Sequence, residues 1–393
     1  MKKESYIFFA TLTMDTSSRM VSLCTPLLAL RFGASYGDLG LIGAAGALAY
    51  ITGCLTYRRL ADRIGYQRCM AVSTGLIAAI TLLYPWTSRV PHIAAISVST
   101  ALFSSGYWPV CQAWLGRGRS RSDLLLALSH FNLAIALCSV LGPVAGGILY
   151  GGGFSLPFRV AAGLIGALSL SLFAMRFEEA SLAEPPAAPA KAPDPDARGF
   201  LRIAWIANFA TYFAVSNLRS LFPKFATDIG VSPGTLGRLM ALIGLTQFAT
   251  FYLIARTDRW QFRLAPIAAV QVFGVVGMGM FVVGRSPGAF AAGFLAMGLL
   301  AGVTFAASGF YSLFAGGSGS RRAGLHEAVV GSGFLIGPLT GGLVAGHLGP
   351  RAPYLLCAGV TLCALSLQTW LYRKIRRSAS GAGKQAVGYG AIP

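Results

Sequence analysis

Twelve long apolar segments limit what this 393-residue chain can fold into. Numbered from the N-terminus, segments 1 to 12 cover residues 5–30, 38–57, 69–87, 92–115, 124–150, 157–177, 200–222, 235–255, 264–284, 288–314, 325–348 and 352–372. Most are close to the ~20 residues that an α-helix needs to cross a bilayer. Backbone polar groups in lipid must find partners within their own segment, so we interpret the segments as helices. The sequence thus predicts an all-α membrane protein with twelve transmembrane helices.

The composition and the placement of charge agree with this interpretation. Hydrophobic residues make up 55% of the chain and charged residues 11%, whereas about a quarter of a soluble domain is charged. Of the 32 Lys and Arg residues, 23 lie in the N-tail, the even-numbered loops and the C-tail, and seven lie in the odd-numbered loops. By the positive-inside rule both termini are cytoplasmic. We expect an integral protein of the bacterial cytoplasmic (inner) membrane, and the net charge of +19 gives topology, not nucleic-acid binding.

No motif in the chain indicates an enzyme. The seven cysteines lack the spacing of a metal site, and no phosphate-cradling Gly-Lys motif or catalytic triad is visible. We therefore expect no enzymatic activity, no cofactor and no bound metal.

A Pro- and Ala-rich stretch divides the apolar segments into two groups of six. Residues 178–199 carry mixed charge and no apolar period, which is typical of a flexible linker. The predicted organisation is an N-terminal six-helix bundle (1–177), a cytoplasmic linker (178–199), a C-terminal six-helix bundle (200–373) and a cytoplasmic tail (374–393).

The two bundles repeat each other. The stretch PLLALRFGASYGDLG begins at Pro26 and PKFATDIGVSPGTLG begins at Pro223, an offset of 197. The pair Asp62-Arg63 recurs as Asp258-Arg259 at an offset of 196, and GPVAGG at 142–147 recurs as GPLTGG at 337–342 at an offset of 195. Six helices is an even number, so both repeats enter the membrane in the same direction.

These motifs resemble the major facilitator superfamily over essentially the whole chain, most closely its drug/proton antiporter-type members. The family's signature between helices 2 and 3 is matched by Asp62, Arg63, Gly65 and Arg68, while Arg58 and Gln67 depart from it. The ending of its helix-5 signature is matched by Gly142, Pro143, Gly146 and Gly147, although Ser129 and Cys138 replace the upstream glycines. The complete form lies on segment 11, at Gly324, Gly333, Gly337, Pro338, Gly341 and Gly342.

The resemblance implies two bundles around a central cavity that is lined by segments 1, 4, 7 and 10. It also implies that Asp62 latches segment 2 to segment 11, where this chain offers His326 and Glu327, with Arg117 at the end of segment 4. Asp258 and Arg259 would be the counterpart in the second bundle. The glycine motifs would let segments 5 and 11 pack closely, or bend, against the opposite bundle.

Three charged residues lie deep in apolar segments. A carboxylate in low dielectric is costly and is a functional candidate by default, and Asp15 has Arg19 one turn further, at a spacing that allows the two to pair. Asp15 could bind a proton or a cationic group, or form a structural ion pair with Arg19. Arg219 has no obvious acid nearby in sequence, so it could bind an anion or could reach outward to the membrane surface.

Aromatic and amide side chains on the cavity segments are candidates for binding solute. Tyr107, Trp108 and Gln112 lie on segment 4 and Tyr311 on segment 10, with Tyr212 and Gln247 as further candidates. Such side chains offer flat apolar faces with hydrogen-bonding tips. Packing of the aromatic rings alone is the alternative.

The sequence therefore predicts a secondary transporter that works by alternating access, coupled to protons through Asp15 and exporting a small amphipathic solute. Uptake of an organic anion through Arg19 and Arg219 is the alternative. Rivals from other classes are a lysolipid flippase and a membrane sensor or scaffold that transports nothing. We expect a monomer in the lipid bilayer.

Overall fold

A computed structural model describes residues 3–116, 121–175, 195–314 and 319–388. Within these ranges the chain forms thirteen α-helices and a short 3-10 helix, Tyr84–Trp86. The α-helices are α1 (Lys3–Leu30), α2 (Tyr36–Ile64), α3 (Tyr66–Thr81), α4 (Val90–Ser104), α5 (Trp108–Gly116), α6 (Arg121–Gly152), α7 (Leu156–Ala174), α8 (Pro195–Asp228), α9 (Pro233–Ile254), α10 (Leu264–Val283), α11 (Pro287–Phe314), α12 (Gly319–Leu348) and α13 (Ala352–Gly388).

The fourth apolar segment is two helices, where the sequence predicts one. The backbone turns at Ser105–Tyr107, between α4 and α5. Pro109 lies in the first turn of α5, where its missing N–H costs nothing. A Cβ at Gly106 would collide with the Ser73 hydroxyl and the Tyr57 ring. The other eleven segments each correspond to one α-helix. Segment 5 is therefore α6, and segment 11 is α12.

Nine helices of the described chain are long and apolar enough to cross a membrane. The exceptions are α1, the α4–α5 pair and α8. Asp15 and Arg19 interrupt α1, Arg219 and Lys224 interrupt α8, and α4 has only 15 residues. The fold is the predicted all-α arrangement of twelve membrane segments in two six-helix halves. The charged candidate residues Asp15, Arg19 and Arg219 lie on α1 and α8, two of the less apolar segments.

The repeated sequence stretches adopt the same local structure in both halves. Gly33 and Gly230 follow α1 and α8 with φ of 74° and 79°, a backbone conformation that favours glycine. Ser35 and Ser232 then cap α2 and α9, each accepting a hydrogen bond from a backbone N–H three residues on. We call the end of the molecule at these two turns the far end.

The boundaries of the helices differ from the predicted domain boundaries. Helix α8 begins at Pro195, so the last five residues of the predicted 178–199 linker are helical. Helix α13 continues past residue 373 to Gly388, into the predicted tail.

The two halves meet most extensively through two helix pairs, α6 with α9 and α2 with α12, and α8 also contacts α1 and α2. Each half also has its own buried aromatic and aliphatic core. In the N-terminal half one cluster surrounds Tyr107 and Trp114, and in the C-terminal half one surrounds Phe222 and Phe281. This arrangement leaves α1 and α8 side by side at the centre of the molecule.

Candidate functional site

Helix α1 carries an ion pair at the centre of the molecule. The Arg19 Nε donates to an Asp15 carboxylate oxygen at 2.7 Å. Asp15 is 7% exposed, and the Arg19 side chain is 17% exposed. One turn further along, Gly142 of α6 packs directly on the backbone of α1 at Thr16 and Met20. The pair is thus held in a tightly packed part of the helix, where burial makes its charges costly to separate.

Helix α8 places Arg219 beside this pair. The guanidinium lies 5.7 Å from the centroid of the Phe334 ring of α12 and makes no ion pair with any carboxylate among the described residues. Two turns earlier, Tyr212 packs against Phe334 and Phe305 at 5.5 and 6.2 Å between ring centroids. Gln247 of α9 lies beside the Tyr212 hydroxyl. An aromatic ring therefore lies over a cation that makes no ion pair among the described residues, although Asp15 acts on it electrostatically.

Arg19 and Arg219 line the same small cavity between the halves, of about 30 Å³. Ser22 and Arg219, which occupy equivalent positions of the two repeats, also line a larger cavity of about 280 Å³ next to it. Arg219 is the one charged residue among those that line the larger cavity. The two spaces thus share a wall that carries positive charge.

Nine of the nineteen residues that line the larger cavity carry a hydroxyl group, and most of the others are apolar. Its hydroxyl-bearing residues are Ser18, Ser22 and Thr25 of α1, Thr81 and Tyr84 at the end of α3, Ser97, Thr100 and Ser104 of α4, and Ser220 of α8. Ser18 and Ser22 continue the polar stripe of Asp15 and Arg19 in the sequence, whereas the other hydroxyl-bearing residues are hard to single out because isolated Ser and Thr are common in membrane helices. Their only sequence signal is the spacing of three and four residues on α1 and α4, which puts each set on one face.

His326 and Glu327 of α12 point in different directions. The His326 Nδ1 is 2.6 Å from the Ser308 hydroxyl of α11, and its ring packs on Phe305 at 4.9 Å. The Glu327 side chain is exposed and acts electrostatically on Tyr50 of α2 and on Tyr212. Glu327 therefore brings a second acid towards the space between the halves.

Tyr311 lies apart from this cluster, whereas Tyr107 lies in the N-terminal core within electrostatic reach of Asp15. Tyr107 is fully buried, in edge-to-face contact with Trp108, and Gln112 is exposed. Tyr311 is fully buried in the C-terminal half, where its hydroxyl accepts a hydrogen bond from the Phe262 N–H at 2.7 Å. Of the predicted solute-binding residues, the structure brings together Asp15, Arg19, Arg219, Tyr212 and Gln247.

Most of the latch candidates are exposed, in the last turn of α2, the first turn of α3 and the loop after α9, whereas His326 is buried in α12. Asp62 accepts a hydrogen bond from Tyr66 at 3.4 Å, and among the described residues it forms no ion pair with α12. Arg63 and Arg68 are exposed, as are Asp258 and Arg259. Gly65 joins α2 to α3 with φ of 88°, which accounts for a glycine at this place in the signature. Arg117 lies outside the described residues.

Each glycine-proline motif uses two faces of its helix. On α6, Gly142 and Gly146 pack on α1 of the same half, whereas Gly147 packs on the start of α9, where a Cβ at Gly237 would collide with the Pro143 carbonyl. On α12, Gly333, Gly337 and Gly341 pack on α8, whereas Pro338 and Gly342 pack on the start of α2 at Gly40 and Tyr36. The spacing of four residues sets one face inside the half and the other on the interface.

A polar contact at the far end was not predicted. The Tyr36 hydroxyl of α2 donates to the Asp228 carboxylate at the end of α8, at 3.0 Å. Lys224 lies 3.4 Å from the same carboxylate and 5.2 Å from the Tyr36 ring centroid. Among the described residues this is the one hydrogen bond between the halves. Tyr36 stands where the other repeat has Pro233, so comparing the repeats could have singled it out.

Comparison with known proteins identifies relatives of this architecture. The sequence model described as Major Facilitator Superfamily matches residues 7–203 and again 204–389. Two structures of a bacterial homologue of the human lysosomal transporter Spinster are similar. The inward-facing, unoccupied one has a TM-score of 0.77 at 15% identity over 96% of this chain and 99% of that one. The inward-facing, occupied one has a TM-score of 0.74 at 12% identity over 94% and 96%.

The human organic anion transporter MFSD10 (TETRAN) has a TM-score of 0.68 at 17% identity over 94% of this chain and 100% of that one. No curated protein matches the chain by sequence. At these identities the solved structures establish the likeness of fold.

Proposed function

This chain belongs to the major facilitator superfamily, and from that premise we propose that it transports a small organic anion by alternating access between its two halves. The observation that carries the proposal is Arg219, a cation between the halves that lines both central cavities and has no carboxylate partner among the described residues. Such a charge in a low-dielectric site is costly until an anion neutralises it. Arginine also binds carboxylate and phosphate groups through two parallel hydrogen bonds.

Among the residues that line the two cavities, Arg219 is the cation without an ion-pair partner, while Glu327 reaches the same space from α12 without lining either cavity. Asp15 neutralises Arg19, and Arg219 remains. The Tyr212–Phe334 pair beside Arg219 offers an apolar surface to the rest of the solute. The cluster thus suits a solute with an anionic group at one end.

Asp15 provides a route for proton coupling. Asp15 and an incoming anion compete for the Arg19 guanidinium, since both are negative. A proton on Asp15 releases Arg19, and the anion then meets two cations instead of one. Proton and anion therefore bind together, which makes symport the expected mode. Other groups face this space, namely Glu327 on α12 and Cys138 on α6, whose thiol lies 3.6 Å from the Leu12 carbonyl.

Proton-coupled export of an amphipathic solute is the second candidate. Its support is a row of four aromatic rings in the order Phe334, Tyr212, Phe305 and Phe251. The centroids of neighbouring rings in this row are at most 6.2 Å apart. A cationic solute would compete with the proton for Asp15, which makes antiport the mode in that case.

The test is transport in proteoliposomes with an imposed pH gradient and a panel of labelled small carboxylates. We expect the wild type to accumulate an anion when the gradient is applied, and Arg219→Gln to lose binding and transport. Asp15→Asn should still exchange the anion across the membrane, but without a response to the gradient. Arg285→Gln, an exposed arginine outside the site, is the matched control.

Each other outcome decides against one statement. If the gradient drives wild type and Asp15→Asn equally, Asp15 is not the proton site. If an amphipathic cation is pumped and the Arg219→Gln substitution does not change its transport, export of that solute replaces anion transport as the proposed function. Movement of labelled lysolipid alone would indicate a flippase. If no solute moved, a sensor or scaffold would be indicated.

We also propose that the protein is a monomer in a bacterial cytoplasmic membrane with both termini in the cytoplasm. The support is the excess of Lys and Arg in the even-numbered loops and tails. A reporter that is active only in the cytoplasm should be active when fused to the C-terminus. Activity of a reporter that works only in the periplasm would show the opposite orientation.

A further inference from the structure

The larger central cavity indicates more about the substrate than the charge of Arg219 does alone. It lies between α1, the end of α3, and α4 of the N-terminal half, and Arg219 and Ser220 of α8 close it from the other half. Both halves thus contribute to its wall. A solute held there would touch the two bodies whose relative motion transports it, which is the placement that alternating access requires.

The hydroxyl groups of this wall differ in their partners, and those of Tyr84 and Ser97 hydrogen-bond each other at 3.0 Å. Thr25, Thr100 and Ser104 donate to carbonyls of their own helices at 2.7–3.0 Å, so their oxygens present lone pairs to the cavity. Ser18 and Ser22 make no hydrogen bond to another residue in the described part of the chain, so their protons are available. The wall therefore both accepts and donates hydrogen bonds.

Two prolines add backbone acceptors at the same place. Pro26 has no N–H, which leaves the carbonyl of Ser22, four residues earlier, without its helical partner. Pro223 does the same for the carbonyl of Arg219. Both residues line the cavity. The repeat thus places a carbonyl that lacks its usual helical N–H partner on each of the two central helices, next to the one charged side chain that lines this cavity.

An alkyl carboxylate would leave the Ser18 and Ser22 hydroxyl groups, and the carbonyls that Pro26 and Pro223 release, without a partner from the ligand. Unpaired polar groups in a buried site cost free energy, and a site built to hydrogen-bond a hydroxyl discriminates strongly against the analogue that lacks it. A ligand hydroxyl both donates and accepts, and so matches a wall of this composition. The volume of about 280 Å³ is just below the range of pockets that hold drug-sized ligands, so the solute is small.

We infer that the larger cavity binds a hydroxyl-bearing chain attached to the anionic group, so that the substrate class is a small hydroxylated organic anion such as a hydroxy acid or sugar acid. The inference rests on the proposed anion transport and specifies its substrate. The acid group would bind to Arg219, and the hydroxyls would bind along α1 and α4.

The test compares three probes of similar length by titration calorimetry on the full chain in detergent. Gluconate has the charge and the hydroxyls, hexanoate has the charge alone, and sorbitol has the hydroxyls alone. We expect gluconate to bind at least about tenfold more tightly than hexanoate, and sorbitol to bind most weakly. The double variant Ser22→Ala, Thr100→Val should weaken gluconate about tenfold and change hexanoate less than about twofold.

The control is Thr369→Val on α13, which removes a hydroxyl that also donates to the carbonyl four residues earlier, far from the cavity. It should leave both affinities unchanged, and thermal unfolding of all variants reports whether they fold. Equal binding of gluconate and hexanoate, both lost in Arg219→Gln, would retain the anion proposal and overturn the hydroxyl inference. Binding of sorbitol as tight as that of gluconate, unaffected by Arg219→Gln, would overturn both.

Discussion

The Asp15–Arg19 pair is the residue-level feature on which the proposed coupling depends. Both side chains are largely buried, and their 2.7 Å contact satisfies each charge with the other. Removing one partner of such a pair leaves a buried charge without compensation, whereas removing both leaves only neutral polar groups. The two cases can be separated by measuring stability.

We predict that Arg19→Gln lowers the free energy of unfolding by about 3 kcal/mol, because Asp15 loses its counter-charge. The double variant Asp15→Asn, Arg19→Gln should recover most of this loss. Chemical denaturation in detergent, followed by near-ultraviolet circular dichroism, measures both.

A matched control is Lys224→Gln, which breaks an ion pair of the same i,i+4 spacing whose carboxylate is 44% exposed. Its effect should stay below about 1 kcal/mol. A loss from Arg19→Gln as small as that of the control would mean that Arg19 does not neutralise a desolvated acid, and the competition for its guanidinium would lose its basis.

Sequence spacing predicts some of the site and cannot predict the rest. The four-residue interval gives the contact between Asp15 and Arg19, and the lack of a nearby acid in sequence singles out Arg219. Tyr311 has the same aromatic character as Tyr212, yet one lies in a core and the other beside Arg219. Which face of α8 or α11 turns inward depends on neighbouring helices, and no local pattern contains that information.

At the level of helices, the break between α4 and α5 was missed although its signals are local. Gly106 and Pro109 lie three residues apart, and both residue types disfavour a continuous helix. High hydropathy across residues 92–115 concealed them, because hydropathy is insensitive to backbone geometry. The repeated stretches were easier to predict, since Gly33, Ser35 and their counterparts specify a turn and a cap by residue type alone.

The two-faced glycine motifs make α6 and α12 central elements of any motion between the halves. On each helix one face is fixed to its own bundle and the other touches the opposite bundle through backbone atoms. Close contact of backbones needs small residues, and a single added methyl group cannot be accommodated by a rotamer change. The interface at the far end is therefore sensitive to alanine.

We predict that Gly237→Ala and Gly40→Ala both loosen the far end, since each new Cβ would collide with a proline carbonyl of the opposite half. Overpacking of this kind costs about 1–3 kcal/mol, which corresponds to an increase of about 5- to 150-fold in the open population. Hydrogen exchange of peptides covering 31–40 and 228–240 should accelerate in both variants. Gly163→Ala on α7, where a Cβ meets no atom within 4 Å, should match the wild type. Rates equal to that control would contradict the contact.

Over the whole molecule, the interface between the halves is symmetric in its glycine contacts and asymmetric in its polar ones. Gly40 faces Pro338 as Gly237 faces Pro143. The hydrogen bond between Tyr36 and Asp228 has no counterpart, because the equivalent positions hold Pro233 and Arg31. One side of the far end is thus joined by packing alone, and the other by packing and a charge-assisted hydrogen bond.

We predict that Tyr36→Phe weakens closure of the far end without affecting the fold of either half. The lost hydrogen bond to a carboxylate that is 44% exposed is worth about 1 kcal/mol, a factor of about five in the open population. Hydrogen exchange should accelerate for peptides at the start of α2 and the end of α8, and less so at the start of α9, where packing alone holds the interface. Tyr252→Phe, which alters an exposed tyrosine that also has an arginine over its ring, is the control. Uniform acceleration at both sites would show that the far end opens as one unit, and the asymmetry would then have no role in the motion.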